Sequence, residues 1–115
     1  MKKGLWEQVV VRDAYYIWDK SGTHLSYSAW IAKQKVICVV PLLDPDNPWV
    51  CNYVQEVDHV KKDLRMGKRA EDEPWRLVAM CQNHNTWHPP RKQLRAAERS
   101  YLATRYPEHW FEPCS

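Results

Sequence analysis

The stretches "QEVDHVKK" at 55–62 and "WRLVAMCQNHNTWHPP" at 75–90, with a polar loop between them, decide the fold of this chain. Each stretch contains a short run typical of a β-strand, alternating in the first and apolar in the second. The first run ends in an Asp-His pair. The second leads into a Cys-x-x-His-Asn cluster that can form about two helical turns before two prolines stop it. The pattern predicts strand, loop, strand and short helix, with polar, chemically active side chains at the strand ends.

The chain length of 115 residues indicates a single small domain over 1–115. Seven Trp and six Tyr supply large apolar side chains, whereas the aliphatic runs are short. Burial alone gives a core of this size little stability. We therefore expect a bound metal to stabilise the fold further.

The N-terminal residues lack the features of a secretion signal, because Glu7, Gln8, Arg12 and Asp13 interrupt the apolar region. No stretch approaches the roughly 18 apolar residues that a membrane span needs. We therefore expect a soluble protein of the cytoplasm, or of the host cytoplasm if a phage encodes it, with no membrane partner. Thiols stay reduced in that compartment.

Reduced cysteines beside histidine are interpreted first as metal ligands and second as ordinary buried thiols. The chain has four: Cys38, Cys51, Cys81 and Cys114. Cys114 lies in the tail "WFEPCS", and we assign it no role.

The segment before the cluster is less regular. Residues 1–37 mix a β-branched run at 9–11 with aromatics, which predicts short strands or a short helix around "YSAWIAKQK". Strands are predicted at 36–43 and 49–58, joined by the turn "DPDNP". Such a hairpin would place Cys38 and Cys51 on adjacent strands, facing one metal.

Positive charge concentrates in the second half of the chain. Between His59 and Arg105 there are eleven Lys or Arg against five Asp or Glu. After a polar loop at 61–74 and a strand at 76–80, a helix is predicted over 89–106, followed by a tail at 107–115. One helix face carries Leu94, Ala97 and Tyr101, and another carries an arginine stripe at 91, 95 and 99. The arginine stripe would bind a polyanionic partner, or it is a charged helix face exposed to solvent.

The motifs "VDHV" at 57–60 and "LVAMCQNHN" at 77–85 resemble the HNH, or ββα-metal, nuclease family in pattern and order. The resemblance covers residues 50–88 and implies an α+β fold: a ββα-metal core over 38–88 with a zinc-stapled hairpin, followed by the basic helix. It also implies that His59 is a general base and that Asp58 and Asn85 hold Mg²⁺ or Mn²⁺. His88 is expected to contact phosphate, to ligate that ion or to be solvated.

The chemistry agrees with this resemblance. Hydrolysis of a phosphodiester requires a deprotonated water and a cation on the pentacovalent oxygens. An imidazole titrates near neutral pH, and a carboxylate suits a hard divalent ion.

The spacing of Cys81 and His84 is that of half a four-ligand zinc site. The family usually has Cys at the second position, where this chain has His84. We expect Cys38 and Cys51 to complete a structural Zn²⁺ site that ties the hairpin to the helix. The alternative is a helix-start pair without metal.

One position departs from the family pattern. Members generally carry an Asn shortly before the Cys of the second strand, which orients the base histidine, and no Asn occurs between His59 and Cys81. Arg76 stands there instead. Its planar guanidinium would bind the scissile phosphate through paired hydrogen bonds, or Arg76 is an exposed strand residue.

These features predict a DNA endonuclease of the HNH type with low sequence specificity. Phosphate contacts are expected from basic residues around the core, namely Lys61, Lys62, Arg91, Lys92, Arg95 and Arg99. One rival is a catalytically silent zinc module that binds nucleic acid, which the Arg at 76 favours. Another is a protein-interaction module, such as a component of a larger nucleic-acid-processing assembly.

Overall fold

A two-stranded antiparallel sheet lies between helices in the computed structural model, which describes residues 3–61 and 72–110. The helices are α1 (Lys3–Ser21), α2 (Tyr27–Lys33), α3 (Val40–Leu43), α4 (Lys92–Arg105) and α5 (Pro107–Trp110). The strands are β1 (Gln55–His59) and β2 (Leu77–Cys81), with a 3₁₀ turn at Pro74–Arg76 and a π-helical turn at Asn83–Trp87. The predicted α+β class is confirmed.

Strand β2 is buried on both faces, which explains its unbroken apolar sequence "LVAMC". Its side chains alternate between two sides of the sheet. Val78 and Met80 pack in a cluster with Leu94 and Leu102 of α4. Ala79 packs in a second cluster that includes Ala14 of α1. The sheet is therefore a layer between α1 and α4.

Two consecutive residues of α1, Arg12 and Asp13, cover the outer edge of β2. The Asp13 carboxylate accepts the backbone N–H of Ala79 at 2.7 Å, and the Arg12 guanidinium donates to the carbonyl of Leu77 at 2.6 Å. The two side chains also pair with each other at 2.6 Å, and the hydroxyl of Tyr101 donates to Asp13. This network satisfies edge groups that would otherwise lack partners.

The prediction of short strands at the N-terminus was wrong, since residues 3–21 form one helix. Val9 and Ala14 are fully buried there. Burial against the sheet outweighs the modest helix cost of β-branched residues. The alternative of a helix around "YSAWIAKQK" is confirmed by α2, where the Ser26 side chain accepts the N–H of Ala29.

The predicted hairpin of 36–43 with 49–58 was also wrong. Residues 40–43 form α3, with Pro41 in its first turn, where proline fits well. The turn after it is present, since the N–H of Asn47 donates to the carbonyl of Asp44. Strand β1 pairs instead with β2, from Gln55 opposite Cys81 to His59 opposite Leu77.

The later elements agree with the prediction within a few residues. Strand β2, the helical turn after Cys81 and helix α4 are all present, and Leu94 and Tyr101 are buried as expected. Lys62, most of the predicted 61–74 loop and Cys114 lie outside the described residues. Among the helices described, none is long and apolar enough to cross a membrane.

Candidate metal centre and the Asp-His strand end

The four predicted zinc ligands Cys38, Cys51, Cys81 and His84 come together, with their ligand atoms all within 4.8 Å of one another. Nδ1 of His84 lies 3.0 Å from Sγ of Cys81, 3.5 Å from that of Cys38 and 3.8 Å from that of Cys51. Tetrahedral zinc with ordinary bond lengths would separate nitrogen and sulfur by about 3.5 Å. The quartet is close enough to hold a metal such as zinc.

The orientation of the His84 ring is set by the backbone. Its Nε2 lies 2.7 Å from the carbonyl oxygen of Trp49. A proton on Nε2 donates to that carbonyl and leaves Nδ1 free for a metal, the usual outer contact of a ligating histidine. The ring is buried. Sequence reasoning missed this carbonyl, because a backbone acceptor has no residue-type signature.

Cys81 ends β2, His84 lies in the π-helical turn and Cys38 is buried, while Cys51 is exposed in a segment without regular structure. Hydrogen bonds hold that segment to the π-helical turn. The N–H of Gln82 donates to the carbonyl of Val54 at 2.9 Å, and the Asn83 amide donates to that of Val50 at 2.5 Å. Cys51 therefore reaches the quartet without the predicted hairpin.

The thiols of the quartet titrate as a group when no metal is bound. The hydrogen bond from Cys38, helped by backbone N–H groups of His84 and Asn52, lowers the pKa of Cys81 to about 4. Hydrogen bonding to Cys51 and Cys81, together with burial, raises the pKa of Cys38. A thiolate is thus already favoured at Cys81, and thiolate is the form that binds metal.

Asp58 faces α4 and is only 4% exposed. Its carboxylate lies 2.5 Å from the guanidinium of Arg95. Glu98 of α4 is fully buried beside it. Burial raises the pKa of Glu98 to about 10, and the hydrogen bond with Asp58 and the negative charge of Asp58 raise it too. The positive charges of Arg95 and Arg99 act in the opposite direction and lower this pKa. Glu98 is thereby kept protonated at neutral pH.

His59 lies on the opposite side of the strand, because successive side chains alternate. Its side chain is 42% exposed, and Nε2 lies 2.5 Å from Oδ1 of Asp72. The hydrogen bond with His59 lowers the pKa of Asp72. Asp72 thus contacts the imidazole of His59. The sequence does not predict the contact between His59 and Asp72, because the polar loop separates the two residues along the chain.

The remaining predicted ion ligands contact other groups. The Asn85 amide donates to Oε1 of Glu56 at 2.8 Å, and the His88 ring stacks on Trp49 with centroids 3.6 Å apart. Among the described residues, the side chains of Asp58, Asn85 and His88 therefore share no partner. Over residues 3–61 and 72–110, the Cys3His quartet is the one convergent group of at least three His, Cys, Asp or Glu ligands.

The predicted arginine stripe is divided by the packing of α4. Arg95 is held by Asp58, and Nε of Arg99 donates to the carbonyl of Lys61. Of the predicted DNA contacts that the structure describes, Lys61, Arg91 and Lys92 are exposed. Arg76 lies in the 3₁₀ turn, half-buried, and its buried Nε has no hydrogen-bond partner among the described residues.

The chain was compared with protein-family models, curated proteins and solved structures, and none of them matches it.

Proposed function

We propose that this chain is a zinc-stapled, HNH-like endonuclease that hydrolyses DNA phosphodiesters with the help of Mg²⁺ or Mn²⁺. The observation that carries the proposal is the accessible His59 imidazole, paired with Asp72 at the end of β1. Strand β1 pairs with β2, which runs directly into the Cys3His quartet. The order strand, strand, helical turn also agrees with the family pattern.

His59 is proposed as the general base. A proton on Nε2 donates to Asp72, which leaves the Nδ1 lone pair free to accept a proton from water. Asp72 then stabilises the imidazolium that forms, as an acidic partner does in other His-carboxylate pairs. A base in this role accelerates hydrolysis by about 10²–10⁴-fold.

Asp58 and Asn85 are proposed to hold the divalent ion, and their carboxylate and amide oxygens are the donors that such ions prefer. Glu56 adds a second carboxylate on the same face of β1 as Asp58, in contact with Asn85. Because Asp58 and His59 point to opposite faces of β1, the end of the strand would have to turn on DNA binding for both to act on one phosphate. The bound ion would supply positive charge to the phosphate oxygens. It would compete with Arg95 for Asp58, and an Arg95 released in this way would be available to the phosphate.

The test is nicking of supercoiled plasmid by the purified chain. We expect nicking with Mg²⁺ or Mn²⁺, none with chelator, and none from His59→Ala. The matched control is His24→Ala, which changes an exposed histidine between α1 and α2 and should leave nicking unchanged. If His59→Ala still cleaves DNA and contains as much metal as the parent chain, then His59 is not the general base.

A second candidate is a zinc-stapled module that binds nucleic acid without cleaving it. The specific observation in its favour is the contact of Arg95 with the buried Asp58, which occupies the carboxylate that an ion would need. It predicts DNA binding that weakens steeply with salt, and no nicking with any divalent ion. In that case the double variant Arg91→Gln with Lys92→Gln should weaken DNA binding to the same extent for every DNA sequence.

A further inference from the structure

A cavity of about 580 Å³ opens between the end of α1, α2 and the segments around α3 and Cys51. Its volume lies in the range of sites for small organic ligands. Most of its wall is apolar and includes Ile17, Trp30, Ile37 and Leu42. None of these side chains has a place in the proposed nuclease site.

Positive charge is confined to one part of this wall. Lys33 and Lys35 line the cavity, and within residues 3–61 and 72–110 no Asp or Glu lines it. Both lysines are exposed. The Lys35 ammonium lies 4.7 Å from the centre of the Tyr53 ring, which is 76% exposed and also lines the cavity. An apolar chamber with two ammonium groups and no acid favours an anionic ligand with an apolar body.

The cavity shares residues with the metal quartet. Cys38 and Cys51 both line it, so part of its wall is held in place by the cluster. A metal bound by the quartet would add to the hydrogen bonds that hold the Cys51 segment and would stabilise this part of the wall further. Ligand and metal should therefore support each other's binding, because such coupling is reciprocal.

We propose that this cavity binds a small amphipathic anion: a carboxylate with a medium-length alkyl chain. The alkyl chain packs among Ile17, Trp30 and Leu42, and the carboxylate pairs with Lys33 and Lys35. This site is separate from the proposed nuclease function and does not depend on it.

The experiment is calorimetric titration of the zinc-loaded full chain with decanoate below its micelle concentration. Saturable binding of one decanoate per chain is expected. Decyltrimethylammonium has the same alkyl chain and the opposite charge, and should bind at least about tenfold more weakly. Equal binding of the two ligands would show that the lysines do not select the anion, and would overturn the proposal.

Two variants locate the ligand. Lys33→Gln combined with Lys35→Gln should weaken decanoate binding by about tenfold, whereas Lys92→Gln, an exposed lysine of α4, should leave it unchanged. Ser21→Trp places a bulky ring at an exposed position that lines the cavity and should abolish binding without changing the unfolding temperature. Unchanged affinity in both variants would place the ligand elsewhere and contradict the proposal.

Discussion

The imidazole of His84 is fixed by the backbone carbonyl of Trp49, at 2.7 Å from Nε2. This contact turns Nδ1 toward the three thiols and makes the quartet ready for a metal before one is bound. The stretch that supplies the carbonyl also leads to Cys51, so one irregular segment provides both a ligand and the contact that orients another.

Metal analysis gives the first prediction. The purified chain should contain one zinc per molecule, and Cys81→Ser should contain almost none and unfold at a clearly lower temperature. Structural zinc in small peptides contributes on the order of 10 kcal/mol, so the variant should be at best marginally folded. Elemental analysis with thermal unfolding measures both effects. Cys114→Ser is the control, and a loss of zinc there would contradict the proposed ligand set.

Asp72 provides a second prediction, which rests on the nuclease proposal. Asp72→Asn should lower kcat of nicking by about 10- to 100-fold, since the imidazole loses its orienting carboxylate. KM should stay within about twofold, because Asp72 is not expected to touch the DNA. Steady-state rates separate the two constants, and Asp72→Glu should recover part of kcat. A change in KM alone would make Asp72 a binding residue.

Glu98 predicts a pH dependence of stability. Its pKa is raised from 4.5 to about 10 in the folded chain, so the folded state favours the protonated carboxyl. That contribution is fully present below about pH 4.5 and is lost as the pH rises toward 10, by up to about 1.4 kcal/mol per pH unit. The charged groups that face it are Asp58 of β1 and, on α4, Arg95 and Arg99.

Glu98→Gln should remove this dependence. The variant and the parent chain should have similar unfolding temperatures near pH 4.5, and the variant should be increasingly more stable up to pH 9. Other titrating groups are common to both proteins, so their difference isolates Glu98. Two curves that stay parallel from pH 5 to 9 would show that Glu98 is ionised in the folded state.

The edge of β2 provides a fourth prediction. Asp13→Ala should destabilise the chain by about 3–5 kcal/mol, because it leaves the Arg12 charge buried without its partner and the N–H of Ala79 without an acceptor. Denaturant unfolding measures the change. Asp19→Ala, an exposed acid on the same helix, should cost no more than about 0.5 kcal/mol. Similar losses in both variants would mean that the edge contact contributes little.

The sequence by itself determined the features that depend on near neighbours. The apolar run of β2, the spacing of Cys81 and His84, and the prolines ahead of α4 each constrain the backbone locally. These features were predicted within a few residues. Cys38 and Cys51 were also grouped correctly with the cluster, although by a hairpin that does not exist.

Tertiary structure decided what depends on burial and on distant partners. In the β-branched run of α1, Val9 is buried against the sheet and Val11 is exposed, and residues 36–39 pack against β2 without forming a strand. The sheet also separates Asp58 from His59, turning one toward Arg95 and leaving the other exposed near Asp72. Adjacent residues in a sequence point to opposite faces of a strand, and only the packing of helices on those faces determines their partners.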